Sequence, residues 1–313
     1  MSEATTSESS AVRDLVIVGG GPAGMSAALV ASLNGLDTLL LERSPRLGGQ
    51  VRWADAPVPD LLGGAAEDGN QLADRFAAHL ATSRADVRLE VAVSHIELAE
   101  DAAAGTAARL ELVGAAPVAA RRVLLATGMA HRRLNVPGED LANRVDSPRQ
   151  VPERWREREI VVVGGGDESS SLATDLADLG ARVTFLVRSR LRARPLFRDA
   201  VVAQPRVDIR EGAVVKQLAS DGARIRVELT SGEALSVDDG FVRIGVEPAI
   251  PSLTPAIELR SNGHVRVDEQ GRTSHPHLFA AGDLVRSPGQ HYIAAALAGG
   301  TLAARTVEED LAQ

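Results

Sequence analysis

The chain has no cysteine among its 313 residues. That absence removes disulfides, thiolate metal ligands and thiol redox centres together, so any electron transfer must run through a bound cofactor. Lysine is nearly missing too: Lys216 is the sole example, and the arginines that supply every other basic side chain are spread along a chain of net charge −8. Such a distribution leaves no electrostatic footprint for nucleic acid. No apolar run approaches the roughly 20 residues needed to cross a bilayer. The opening segment, residues 1–10, lacks the basic start and apolar centre of a secretory signal and reads as a disordered lead-in to a cytoplasmic protein. The remaining composition, 44% hydrophobic and 24% charged, is that of a soluble globular protein with length enough for two domains.

One strand, loop and helix pattern occurs twice. The apolar run Asp14–Gly19 leads into Gly19-Gly20-Gly21-Pro22-Ala23-Gly24 and then an alanine-rich stretch, Met25–Leu33, that predicts a helix. In this context Gly19 permits a tight turn, Gly21 lets the backbone approach a pyrophosphate, and Gly24 lets helix and strand pack closely. The helix N-terminus then faces the phosphate charge. A second apolar run, Leu39–Leu41, ends at Glu42, where a carboxylate accepts ribose hydroxyls. A tight turn with Glu42 as a helix cap is the alternative.

In the second copy, Ile160–Val163 leads into Gly164-Gly165-Gly166-Asp167-Glu168-Ser169 and a helical stretch, Ser170–Leu179, stopped by Gly180. The next strand, Arg182–Val187, carries Val187 at the position of the acid and runs into Arg188, Arg190, Arg192 and Arg194. A carboxylate there favours a free ribose 2′-hydroxyl, whereas arginines accept a 2′-phosphate through charge-assisted bonds. The second site therefore reads as built for NADPH. A solvated basic loop beside a degenerate repeat is the alternative, since Ser169 replaces the third glycine.

Two such fingerprints, the second inserted in the domain that carries the first, resemble the pyridine nucleotide-disulfide oxidoreductases, in particular their short thioredoxin-reductase-like branch. Further matching segments are Leu47-Gly48-Gly49-Gln50, Leu125-Ala126-Thr127-Gly128, Val136-Pro137-Gly138-Glu139, Ile244-Gly245-Val246-Glu247-Pro248 and Leu278-Phe279-Ala280-Ala281-Gly282-Asp283. The resemblance implies an α/β protein of two Rossmann-like three-layer domains: a discontinuous FAD-binding domain, 11–128 with 249–313, and an NAD(P)-binding domain, 129–248. Strands are expected over Asp86–Leu98 and Arg109–Val123.

The resemblance places FAD against Gly19, Gly21, Pro22, Ala23, Gly24, Glu42, Arg43, Gly49, Gln50, Ala126, Thr127, Gly128, Gly282, Asp283, His291, Tyr292 and Ile293. It places NADPH against Gly164, Gly166, Asp167, Glu168, Ser169, Arg188, Arg190, Arg192, Ile244 and Gly245. Thr127-Gly128 would form the crossing between domains and Asp283 would hold the ribityl chain, unless it is a turn residue. A helix over Gln290–Gly299 would point its N-terminus at the flavin. His291 and Tyr292 are the catalytic candidates, with packing at a homodimer interface as the equal alternative. Arg52 and Trp53 either edge the flavin pocket or anchor a loop, His275 and His277 read as turn residues, and no metal site is expected.

Thioredoxin reductases of this branch carry a Cys-x-x-Cys pair after the Val-Pro-Gly-Glu segment. Here the polar, proline-interrupted stretch Asp140–Glu159 has none and reads as a surface loop. The implied function is hydride transfer from NADPH to FAD, then direct delivery to a non-disulfide acceptor, and not thioredoxin reduction. Cysteine-free members include ferredoxin–NADP reductases, so a ferredoxin-like carrier is the first acceptor to consider, followed by free flavin, a quinone or dioxygen. Those reductases add a C-terminal segment over the flavin, which is not expected here about 30 residues past Asp283. Two other readings stay open: a nicotinamide-independent FAD oxidase or dehydrogenase of a small metabolite, and a flavin-bound regulatory protein without turnover.

Overall fold

The computed structural model describes residues 12–53, 58, 61–63, 68–100, 105–143, 148–287 and 289–313. The 1–10 lead-in lies outside them. The chain divides into two compact units, one running to Met129 and resuming over Pro248–Gln313, the other Ala130–Glu247.

In chain order the first unit opens with β1 (Arg13–Val18), α1 (Pro22–Leu33), β2 (Thr38–Leu41), α2 (Gly69–Leu80), β3 (Asp86–Arg88), β4 (Val93–Leu98), β5 (Ala108–Leu112) and β6 (Ala115–Leu125), and the short β7 (Met129–His131) spans the boundary at Met129. The second comprises β8 (Glu159–Gly164), α3 (Asp167–Asp178), β9 (Arg182–Val187), α4 (Pro195–Val202), β10 (Val207–Glu211), β11 (Val215–Asp221), β12 (Arg224–Leu229), β13 (Ala234–Val237) and β14 (Asp239–Arg243). After β15 (Val246–Pro248), the first unit closes with β16 (Ser252–Thr254), β17 (Leu278–Ala280) and α5 (Ile293–Leu311).

The eight-stranded sheet of the first unit runs β16-β4-β5-β6-β1-β2-β3, with β17 also on β6. Strand β6 does two jobs. Its first half pairs antiparallel with β5, and its second half lies parallel between β1 and β17. Side-chain alternation sets the layers. Leu15 and Ile17 of β1 pack with α1, α5, Leu124 and Phe279, while Val16 and Val18 face the opposite cluster with Ile96, Leu110 and Val123. The result is helices, parallel sheet and an antiparallel layer.

The second unit repeats this on a smaller scale. Its parallel sheet has the order β10-β9-β8-β14, and β11-β12-β13 form an antiparallel sheet. Ile160, Val162 and Phe185 pack with Leu172 and Leu176 of α3, whereas Val161, Val163 and Leu186 meet Val215, Ile225 and Val227. Both units are thus α/β with Rossmann-like parallel sheets.

Several boundaries differ from the sequence reading for physical reasons. Helix α1 starts at Pro22 rather than Met25, because proline's fixed φ suits the first helical position and its missing N–H would be unpaired there anyway. Helix α3 starts at Asp167 rather than Ser170, and Gly180 (φ +90) closes it with its N–H bonded to Ala177 O. Helix α5 begins at Ile293 and continues to Leu311, through the Gly299-Gly300 pair that marked its expected end. Gly300 is a contact residue: a Cβ there would lie 2.0 Å from Ala23 O in α1.

The stretch Asp140–Glu159 is not simply a surface loop. It holds the 3₁₀ turns Pro148–Gln150 and Pro152–Arg154, and Trp155 is 0% exposed, its Nε1 donating to Pro148 O at 2.7 Å and its ring 5.6 Å from Phe241. One tryptophan ties the segment into the core beside β14. His275 and His277, read as turn residues, are buried with their rings 5.5 Å apart.

Candidate functional site

Each unit presents a site at the carboxyl ends of its parallel strands, where ligands collect in open α/β sheets. In the first, Gly19 (φ +109) takes a conformation open to glycine, and a Cβ there would lie 2.5 Å from Ala126 O. A Cβ on Gly24 would stand 1.8 Å from Gly19 O, so loop and helix approach as the pattern requires. At Gly21 a Cβ would meet nothing within 4 Å, which leaves the backbone beside Pro22 and Ala23 open to a bulky group.

Glu42 sits at the end of β2, 6% exposed. Its two oxygens accept from Gly20 N–H at 2.6 Å and Ser44 N–H at 2.8 Å, and these bonds fix the carboxylate against the loop. Arg43 beside it is exposed. Gly48 N–H donates to Gly20 O at 2.8 Å, a Cβ on Gly49 would lie 3.3 Å from Gly21 Cα, and one on Gly128 would lie 3.2 Å from Gln50 Nε2. Loop 48–50, Ala126-Thr127-Gly128 and the first glycine loop therefore converge. Thr127 Oγ1 is buried there without a hydrogen-bond partner. Arg52 is a loop anchor: its guanidinium bonds Leu47 O and pairs with Asp74 at 2.7 Å, holding the Asp74 carboxyl below its ordinary range.

Gly282 (φ +79) brings the 3₁₀ turn Gly282–Val285 against Ala23, whose Cβ is 3.0 Å from where a Gly282 Cβ would be. Burial raises the Asp283 carboxyl above the usual range, opposed by the nearby His291, Arg286 and His264. His291 Nε2 lies 3.1 Å from Arg286 O, Tyr292 is 54% exposed, and Ile293 opens α5. The sequence reading missed His264. It is 2% exposed, both ring nitrogens lack hydrogen-bond partners, and its ring is 6.0 Å from that of His291. Burial lowers its pKa. An isolated histidine after an Asn-Gly turn carries no sequence signal that would single it out.

In the second unit, the expected residues line one cleft of about 940 Å³: Gly164, Gly166, Asp167, Glu168, Ser169, Val187, Arg188, Arg190, Arg192, Ile244 and Gly245, joined by Arg132, Arg133, Arg243 and Glu247. Ser169 does the work of a third glycine in another way. Its Oγ accepts from Gly166 N–H at 3.0 Å and donates to Gly166 O at 2.9 Å, closing the loop with a side chain. Asp167 faces the arginine loop. It accepts from Arg194 N–H at 2.7 Å and pairs with the Arg194 guanidinium, contacts that keep its carboxyl below the ordinary range. Arg192 N–H also donates to Gly165 O at 2.8 Å, and Leu191 N–H to Glu211 Oε1 at 2.7 Å. The arginine loop is thereby fastened to the glycine loop.

Sequence and structure comparisons agree on the ancestry of this arrangement. The family described as pyridine nucleotide-disulphide oxidoreductase matches residues 13–298. The chain belongs to that family. Its likeness is to the thioredoxin-reductase-like members of that family, without the cysteines. An alkyl hydroperoxide reductase subunit of Staphylococcus epidermidis is 30% identical over 299 residues, 93% of this chain and 57% of that relative. The chain therefore spans little more than half the length of the curated relatives it matches.

Among solved structures, thioredoxin reductase of T. acidophilum aligns with a TM-score of 0.74 at 26% identity, covering 96% of this chain and 99% of that one. Bacillithiol disulfide reductase of Bacillus cereus shares the fold, with a TM-score of 0.73 at 21% identity, covering 96% of this chain and all of that one (100%). Among the described residues, no helix is long and apolar enough to cross a membrane, and no group of three or more His, Asp or Glu side chains is placed to hold a metal ion.

Proposed function

We propose that the chain takes reducing equivalents from NADPH in preference to NADH and passes them through FAD directly to a non-disulfide acceptor: a ferredoxin-like carrier, free flavin, a quinone or dioxygen. The observation that carries the nucleotide preference is the second cleft, where Val187 ends β9 in place of an acid and Arg188, Arg190 and Arg192 line the same wall. Guanidinium groups favour a 2′-phosphate, and no carboxylate at Val187 repels it.

The residues of the first site fit FAD. The open backbone at Gly21 suits a pyrophosphate, Glu42 stands where ribose hydroxyls would be accepted, and the buried, unpartnered Thr127 Oγ1 gains a bonding group. Gly282, Asp283 and the start of α5 would hold the rest of the cofactor, which when bound supplies the chemistry of accepting and releasing electrons. The chain's own contribution is binding, orientation and water exclusion. With no thiol in the chain, no relay to a disulfide is open to it. The domain roles follow: FAD on 11–128 with 249–313, nicotinamide nucleotide on 129–248. We further propose a cytoplasmic homodimer, which light scattering of the purified protein would test.

One observation favours a second reading. Helix α3 opens with two acids, Asp167 and Glu168, where a pyrophosphate would lie, as would suit an FAD enzyme that oxidises a small metabolite without nicotinamide. Both acids are paired with arginines, and this tips the balance to NADPH. Anaerobic mixing decides. Bleaching of the flavin band by NADPH well ahead of NADH is expected, and no bleaching by either would overturn the proposal in favour of the metabolite oxidase. Reoxidation of the bleached protein by each acceptor in turn identifies the physiological class.

A further inference from the structure

The following rests on the reading of the first site as an FAD site. Residues 259–265 turn back on themselves, Arg260 N–H donating to His264 O at 2.8 Å, and Val265 N–H fastens them to the turn Gly282–Val285 by donating to Leu284 O at 3.0 Å. Val265 is wholly buried in the cluster with Ile96 and Leu284. Neighbours in an extended chain point to opposite sides, so His264 turns away from that cluster. Its ring lies 6.0 Å from that of His291, just before α5.

His264 is 2% exposed, and neither ring nitrogen is hydrogen-bonded. A neutral imidazole has one donor and one acceptor, and leaving both buried and unused costs stability, so a folded core retains such a group for a role. His291 already commits Nε2, which donates to Arg286 O at 3.1 Å. Arg286 Nε is itself buried without a partner. The charged groups acting on His264 are Asp283, His291 and the exposed Arg260, while Arg286 acts on Asp283 and Arg266 is paired with Glu258 at 3.1 Å. Burial outweighs them and lowers the His264 pKa, so the ring is neutral at neutral pH. Helix α5 opens beside the two histidines with no acid in its first turn and no side chain bonded at its N-cap, and its free N–H groups add positive potential. Among the groups acting on His264, Asp283 is the acid.

Hydride transfer from NADPH brings two electrons and one proton and leaves one net negative charge on the flavin. A charge of that sign raises the proton affinity of a nearby neutral imidazole. We propose that His264 takes up a proton from solvent when the flavin is reduced and gives it up when the electrons leave, so that the site holds two electrons with two protons. His264 touches no reacting atom in this role; it compensates charge. The balance closes for each class of acceptor. A quinone or dioxygen takes both electrons with the hydride's proton and the His264 proton, whereas a one-electron carrier takes electrons alone and both protons return to solvent.

Nitrogen-15 NMR of the flavin-loaded protein with labelled histidine follows the ring titrations in the oxidised state and after photoreduction, which needs no nicotinamide. His264→Gln and His264→Phe each delete one signal and so identify it among the seven histidines, and either variant suffices if the other does not fold. The His264 midpoint is expected below the usual 6.5 in the oxidised protein and about one pH unit higher after reduction, a gain of about tenfold in proton affinity. Acidification should then favour reduced over oxidised FAD by up to about tenfold more in the unmodified protein than in either variant. A histidine that only filled the core would weaken both redox states of FAD alike at every pH. An unmoved His264 midpoint, or a shift carried by His291 instead, overturns the role of His264. Protein that binds no FAD overturns the flavin reading itself.

Discussion

The two glycine loops of this chain share a backbone plan and differ in how they are locked. In the first, three glycines leave the closure to backbone contact: Gly24 lies so near Gly19 O that a methyl group would stand 1.8 Å away, and the neighbouring N–H of Gly20 is held by Glu42 from the next strand. In the second, a side chain closes the loop, since Ser169 bonds both the N–H and the carbonyl of Gly166, and no acid reaches back from β9. A carboxylate-locked loop suits a ribose with free hydroxyls. A hydroxyl-locked loop flanked by arginines suits a phosphorylated one. On the proposed reading, one backbone plan serves two ligand preferences through the residues around the turn while the turn itself is kept.

The sharpest way to break the comparison is to exchange the third position. Gly24→Ala should destabilise the first unit by more than about 4 kcal/mol, because the clash is with rigid backbone, and yield little soluble or yellow protein. A soluble variant retaining flavin would show that the close approach is not required. The arginine wall comes next. Arg188→Ala and Arg190→Ala should each weaken NADPH by about 10- to 100-fold, from about 1.5–3 kcal/mol per charge-assisted bond, with NADH almost unaffected in titration calorimetry. Equal losses for both nucleotides would remove the phosphate role.

A third test uses pH. His131 has a pKa of about 4 in the folded protein, against about 6.5 when unfolded. The unfolded chain therefore takes up its proton first, so this contribution to stability is full above about pH 6.5, declines as pH falls and levels off near 4. His131→Gln should remove about 2–3 kcal/mol of that acid sensitivity in denaturant titrations between pH 7 and 4. Identical pH profiles for the two proteins would count against a neutral buried ring. The smallest effect is expected at Ser169→Ala, which loses two loop-closing bonds but adds no atoms. It should lower stability by about 1–2 kcal/mol, in contrast to the collapse at Gly24, and a drop as large as that of Gly24→Ala would mean the two locks are equivalent.

Much of this was legible beforehand because it rests on period and spacing. The runs Leu15–Val18 and Ile160–Val163 are strands buried on both faces, and such runs keep their identity in any context. Gly19, Gly24 and Gly180 were readable because their backbone angles or contacts leave no other choice of residue. Features that depend on long-range meeting were not. Trp155 lies in a polar, proline-broken segment, and only the fold shows that Pro148 O and Phe241 receive it. Gly299-Gly300 looked like a helix end because the surface of α1 that demands Gly300 is more than 270 residues away in the chain. The partners of Asp167 and Glu168 were not readable from spacing, because Arg194 and Arg243, which engage them, lie at a distance in sequence.

The packing of α1 on α5 also has a bearing on how the protein is made. Ser26 Oγ donates to Leu297 O across 271 residues of chain, and Gly300 seats against Ala23 beside the first glycine loop. At synthesis rates of about 5–20 residues per second, the N-terminal loop waits roughly 15–50 s for the helix that completes its surroundings. The inserted unit, contiguous in sequence, has all its strands in hand well before then. Completion of the first loop's surroundings, and with it flavin capture, is in consequence a late event in biogenesis, following synthesis of α5 rather than of α1.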